Sequence, residues 1–137
     1  MDAVTYPDLK VIPFMKKYVV PVRLSFDAKP ESEDFEVKWT PTFVVVDADG
    51  TEHHRAGKFL APGEFIPMIL LGIGKTHFDR QAYEEAMASL DRLLRDYPQS
   101  DSAPEAIYYR QVSESNQTIR LVAMGKGWPF QKDAGRV

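Results

Sequence analysis

The chain has 137 residues, which suits one domain, or a small domain with an appendage, that buries a workable core. Hydrophobic residues make up 44% and charged residues 27%, an ordinary balance for a globular protein, and a net charge of −3 argues against a nucleic-acid partner. No stretch approaches the roughly 20 apolar residues of a membrane span, and the zero cysteine count excludes disulfides within the chain.

Charge and the start of the chain add two expectations. Residues 110–137 carry five Lys or Arg against two Asp or Glu, a net +3, which leaves −6 for the rest of the chain. Met1 is not followed by a basic segment and an apolar segment of the kind that forms a signal peptide, so a cytoplasmic location is expected.

The first third of the chain predicts a helix, a strand and an acidic connection. Residues 8–18 predict a helix with Asp8 as its N-cap, which Pro13 should either kink or start late. The nearly continuous apolar run from Val19 to Phe26 predicts a strand. The acidic segment 27–36 is expected to be a solvated short helix, with a docking patch for basic peptides as the alternative.

A hairpin is predicted in the middle of the chain. Phe43 to Val46 are mostly β-branched, which predicts a short strand buried on both faces. Asp47-Ala48-Asp49-Gly50 supplies turn chemistry, and Thr51 to Phe59 can return as the second strand. Pro41 restricts Thr40 to extended conformations, and a proline directly before a buried strand favours a cis peptide bond.

Helices are predicted for most of the remaining chain. Pro62 opens the first, and Gly72 and Gly74 predict that it ends near residues 74–76. Its apolar face is formed by Phe65, Ile66, Ile69, Leu70 and Ile73. A second amphipathic helix should be stopped by Pro98, and Ser100-Asp101-Ser102 should start another.

The order of these elements resembles a known fold. Thr40-Pro41-Thr42, an apolar strand, an Asp-Gly hairpin and an amphipathic helix together resemble the C-terminal half of a thioredoxin fold. Val20 to Asp27 resembles the strand after the family's active-site helix, and Met1 to Asp8 the segment after its Cys-x-x-C. The resemblance covers about residues 1–75 and implies an extended-peptide site at Trp39, Thr40, Pro41 and Thr42.

The chain also departs from that family. It has no cysteine, and the strand and Cys-x-x-C that would precede Met1 are absent, so no residue takes a catalytic role and no cofactor is expected. The family's part in cell redox homeostasis therefore cannot be carried out by these residues. The alternative interpretation is an N-terminally truncated thiol–disulfide oxidoreductase whose Cys-x-x-C lies upstream of Met1.

Residues 76–113 resemble a second family. The residues at tetratricopeptide-repeat positions are Tyr83, Ala86, Leu90, Leu93 and Pro98. Arg110-Gln111 stands where the next repeat would have Leu-Gly, which weakens the expected close helix packing. Residues 114–137 predict a loose tail, in which Trp128 and Phe130 either pack back on the chain or anchor a partner.

The thioredoxin resemblance implies a gap where the family's central strand would lie. Val19–Phe26 and Phe43–Asp47 could close on each other, a second copy could insert a segment in a homodimer, or Thr118–Met124 could enter as a strand. Direct closure requires the fewest additional residues to become ordered, so it is the first expectation.

His53 and His54, as strand neighbours, should point to opposite faces, so no metal site is predicted.

The predicted fold class is therefore α/β: an incomplete thioredoxin-like fold that lacks its first, central strand, followed by a tetratricopeptide-like helical hairpin. The predicted function is a non-redox module that binds a peptide or protein, with neither nucleic acid nor membrane as a partner.

Overall fold

The computed structural model describes residues 1–25 and 27–125. In this part of the chain, five helices and a two-stranded antiparallel sheet form a mixed α/β structure, which confirms the predicted class. The helices are α1 (Val11–Tyr18), α2 (Glu31–Asp34), α3 (Pro62–Asp79), α4 (Tyr83–Asp96) and α5 (Ala103–Ala123), and the strands are β1 (Phe43–Val46) and β2 (Glu52–Ala56). Among the described residues, none of the helices combines the length and apolar character that a membrane crossing requires.

Helix α3 lies at the centre, with the sheet and α1 against it on some sides and α4 and α5 on others. A Cβ on Gly72 would lie 2.7 Å from Val45 Cγ2, and a Cβ on Gly74 would lie 2.6 Å from Leu90 Cδ2. The two glycines thus let β1 and α4 approach the helix closely, and they do not end it. The predicted end near residues 74–76 is wrong, because α3 continues to Asp79.

The hairpin forms where local chemistry predicts it. Gly50 adopts φ of +80°, and Asp47 Oδ1 accepts hydrogen bonds from the amides of Asp49 (2.9 Å) and Thr51 (3.1 Å). An irregularity in the register follows, since Val45 pairs with His54 but the next residue, Val46, pairs with Glu52. His53 is therefore the extra residue of a β-bulge.

The two faces of the hairpin differ. Phe43 and Val45 face α3, with the Phe43 and Phe65 rings 5.4 Å apart. Period-two alternation directs Val44 and Arg55 to the opposite face. The predicted burial on both faces is wrong, because β1 is only partly buried and 41% of Val46 is exposed.

The N-terminal region corrects the strand prediction. Helix α1 begins late, at Val11, as predicted from Pro13, but its N-cap is Lys10 and not the predicted Asp8. Asp8 Oδ1 accepts hydrogen bonds from the amides of Lys10 and Val11. Residues 19–25 form no strand, and Val20 is 90% exposed. An apolar run becomes a strand only when a partner satisfies its backbone groups. The predicted closure on β1 is therefore wrong for these residues, and Phe26 lies outside the described residues.

The C-terminal helices pack as an antiparallel pair. Helix α4 ends at Asp96, before Pro98 as predicted, and buries Ala86, Leu90 and Leu93. Helix α5 continues to Ala123, so the alternative in which Thr118–Met124 enters the gap as a strand is wrong. Residues 114–123 of the predicted tail are helical, while the predicted roles of Trp128 and Phe130 lie outside the described residues.

Candidate peptide-binding site

A groove lies on the face of the hairpin that points away from α3. Residues of segment 34–39 and Thr42 form one wall, and Glu52, Arg55 and Gly57 form the other. It encloses about 550 Å³, within the roughly 300–1,000 Å³ of typical ligand pockets. We call this cavity the outer groove.

Trp39 is fixed at one side of the outer groove. Its indole Nε1 donates a hydrogen bond of 3.1 Å to the carbonyl oxygen of Gly57, although 61% of the residue is exposed. A Cβ on Gly57 would lie 2.5 Å from that Nε1. The indole therefore lies directly on the chain that continues β2, and only a glycine leaves room for it there.

The loop after Trp39 has the predicted geometry. The Thr40–Pro41 peptide bond is cis, as predicted. Thr42 Oγ1 donates a hydrogen bond of 2.5 Å to the carbonyl oxygen of Trp39, which closes the turn. Trp39 and Thr42 line the outer groove, whereas Thr40 and Pro41 form the bend between them.

Charged side chains of both signs line the same groove. Arg55 is held by Glu52, with Nη2 2.6 Å from Oε1, and by the carbonyl oxygen of Phe35. Asp34, Glu36 and Lys38 also line the groove, and none of them has an ion-pair partner within the described residues. Two free carboxylates against one free ammonium leave the groove with net negative charge.

Arg55 of β2 and Gly57 directly after β2 complete this site, and neither was predicted from the sequence. Arg55 and Gly57 are 16 and 18 residues away from Trp39 in the chain, and no local pattern joins them. The available signal was period-two alternation, which directs Arg55 and Gly57 to the same face of a strand.

A smaller cavity lies on the other side of β2. It encloses about 260 Å³ between residues 54–58 and two helices, with Met68 and Leu71 of α3 and Ser102 and Glu105 at the start of α5. Arg55 and Gly57 border both cavities. We call this second space the inner cavity.

Comparisons of the chain with protein-family models, with curated proteins and with solved structures find no match.

The β-bulge turns both histidines toward α3, which corrects the prediction of opposite faces. His53 Nδ1 lies 2.6 Å from Asp79 Oδ2, and His54 Nδ1 lies 3.2 Å from Lys75 Nζ. Within residues 1–25 and 27–125, no group of three or more His, Asp or Glu has the geometry of a metal site.

The two histidines have opposite electrostatic surroundings. The hydrogen bond with Asp47, and to a smaller extent the one with Asp79, raise the pKa of His53 above 6.5. The hydrogen bond with His53 is the largest of the effects that lower the pKa of Asp47 to about 2. Burial, followed by the charge of Lys75, lowers the pKa of His54. Because carboxylates occupy both ring nitrogens of His53, this cluster joins the hairpin to the end of α3 and leaves no nitrogen for a substrate.

Proposed function

We propose that the chain is a non-redox peptide- or protein-binding module: a thioredoxin-like domain without its first strand and Cys-x-x-C, followed by a tetratricopeptide-like helical hairpin. The observation that carries the proposal is the outer groove, which lies between the Trp39–Thr42 loop and β2. The cytoplasm is the proposed location.

Two features support the domain assignments. The thioredoxin-like interpretation draws on the order of the Thr40-Pro41-Thr42 loop, the β1–β2 hairpin and α3. The repeat-like interpretation draws on the antiparallel pair α4 and α5. Arg110 departs from the repeat pattern, and its Nε donates a hydrogen bond of 2.9 Å to Asp91 of α4.

The character of Trp39 supports binding. Aromatic residues are enriched in protein interfaces, where they offer a large apolar contact area at little cost in side-chain entropy. Here the indole is more than half exposed, yet its N–H is satisfied and its position is fixed by Gly57. A rigid exposed ring beside a groove of this volume is suited to hold a side chain of a bound peptide.

A peptide-display selection tests the proposal. The protein is immobilised, random heptapeptides are selected, and the affinities of the recovered peptides are measured for Trp39→Ala and for Phe59→Ala. Phe59 is the matched control, since it is 53% exposed but lines neither cavity. We expect Trp39→Ala to weaken binding about tenfold or more and Phe59→Ala to leave it within about threefold. Equal effects of the two substitutions, or no recovered peptide, would contradict the proposal.

One observation favours the second candidate, a truncated thiol–disulfide oxidoreductase. Within the described residues, β1 is hydrogen-bonded to β2 alone, so the opposite edge of β1 is open where the family's central strand would lie. The test is the DNA upstream of the start codon. A reading frame that continues into a Cys-x-x-C supports this origin, and an in-frame stop codon before any such motif overturns it.

A further inference from the structure

The outer edge of β2 carries unused backbone hydrogen-bonding groups. In the part of the chain that the structure describes, the sheet has two strands, and no backbone hydrogen bond joins β2 to any segment other than β1. Such an edge is a template for a further strand.

The two cavities meet at this edge from opposite faces of the hairpin. Glu52 and Arg55 line the outer groove, on the face of the hairpin away from α3. His54 and Ala56 border the inner cavity, on the face toward α3. The inner cavity is lined by the consecutive residues 54–58. A strand added to β2 would direct successive side chains to opposite faces, and hence alternately into the two cavities.

The outer groove suits a basic side chain. Asp34 and Glu36 are carboxylates without an ion-pair partner in the described residues, and the Trp39 ring lies in the same groove. A cation placed over an indole face is attracted by the ring electrons, and nearby carboxylates add to that attraction.

The inner cavity suits an apolar side chain. Its floor includes Leu60, Met68 and Leu71, which are at most 4% exposed. Each of its three carboxylates has a partner: Glu64 accepts a hydrogen bond of 2.8 Å from Ser100 Oγ, Glu105 lies 2.8 Å from Lys75 Nζ, and Asp101 lies 3.4 Å from Lys58 Nζ. At about 30 Å³ for each water, about 260 Å³ is enough for one aliphatic side chain.

We propose that the outer edge of β2 binds an extended segment of a partner protein by strand addition, with a basic side chain in the outer groove and an adjacent apolar side chain in the inner cavity. This inference rests on the proposed function and names its ligand class and binding mode.

The test uses the probe peptide acetyl-Val-Lys-Val-Lys-Val-Lys-Val-amide and two derivatives of it. One derivative is N-methylated at the lysine amides and the other at the internal valine amides, so each blocks one edge of an extended peptide. We expect one derivative to bind about tenfold or more weakly than the parent peptide and the other to stay within about threefold. When the parent peptide is bound, the backbone amides of β2 should exchange their hydrogens with solvent more slowly. Equal binding of both derivatives and the parent overturns strand addition, yet leaves the proposed function intact when Trp39→Ala still weakens binding about tenfold or more.

Charge is tested separately. The double variant Asp34→Asn with Glu36→Gln should bind the lysine peptide about three- to tenfold more weakly and a threonine-substituted peptide unchanged. The control variant, Glu31→Gln with Glu33→Gln, removes the same charge from α2 outside the groove and should have the smaller effect. Equal loss in both variants overturns the basic-ligand assignment. A dimer of this chain whose β2 amides are protected without peptide assigns the edge to a second copy and also overturns the proposal.

Discussion

His53 Nε2 lies 2.8 Å from Asp47 Oδ2, with only 5% and 8% of the two side chains exposed. The other ring nitrogen of His53 lies 2.6 Å from Asp79 at the end of α3, and Arg80 lies 3.4 Å from Asp47. A protonated imidazole donates to both carboxylates at once, so the charged form of His53 binds the hairpin to the central helix.

This geometry predicts that stability falls as the pH rises through the pKa of His53. The folded-state pKa of His53 lies above 6.5, so its contribution is complete below that pH and is lost as the folded protein releases the proton. We expect the free energy of unfolding of wild type to exceed that of His53→Gln by about 1 kcal/mol near pH 6 and by less above the folded pKa. Urea unfolding followed by circular dichroism across this range measures the difference.

His54 provides the control for that series. Its pKa is lowered, so it contributes stability above 6.5 and loses it as the pH falls, which is the opposite direction. The difference between wild type and His54→Gln should therefore grow with pH. Parallel curves for the two variants would contradict the assigned charge states.

A second prediction concerns acid. Because the folded-state pKa of Asp47 is about 2 against an ordinary 3.8, its contribution is present above 3.8 and is lost as the pH falls toward 2. We expect Asp47→Asn to be less stable than wild type at neutral pH and to converge with it near pH 2. Asp49→Asn is the matched control, since the Asp49 side chain is 85% exposed and it should follow wild type throughout.

A third prediction concerns the glycines of α3. Alanine in place of Gly74 would gain about 1 kcal/mol in helix propensity, but its Cβ would lie 2.6 Å from Leu90 Cδ2 in a packed core. We expect Gly74→Ala to lower the free energy of unfolding by about 1–3 kcal/mol. Gly63→Ala adds the same methyl group where nothing lies within 4 Å, so chemical denaturation should show little loss there.

A fourth prediction is the absence of disulfide reductase activity. The chain has no cysteine, hence no thiolate to attack a disulfide. Insulin mixed with dithiothreitol should become turbid at the same rate with the protein as with buffer. A faster rate that scales with protein concentration would show the prediction to be wrong.

The sequence alone determines several features of the fold through interactions between neighbouring residues. The turn at Gly50, the late start of α1, the start of α3 at Pro62 and the stop of α4 before Pro98 all follow from backbone restrictions and capping groups within a few residues of each position. The cis bond before Pro41 was also anticipated from its neighbours. Such features depend on interactions whose partners are adjacent in the chain.

Features that depend on residues far apart in the chain could not be predicted from the sequence, because they form only in the folded structure. Residues 19–25 have the composition of a strand but no ladder partner, whereas Thr118 to Ala123, of similar composition, continue α5 because a helix satisfies its backbone from its own preceding turn. Gly74 looked like a helix end and is instead the point where α4 approaches. The Trp39–Gly57 hydrogen bond, which shapes the outer groove, joins residues 18 positions apart and exists only once β2 has packed beside the loop.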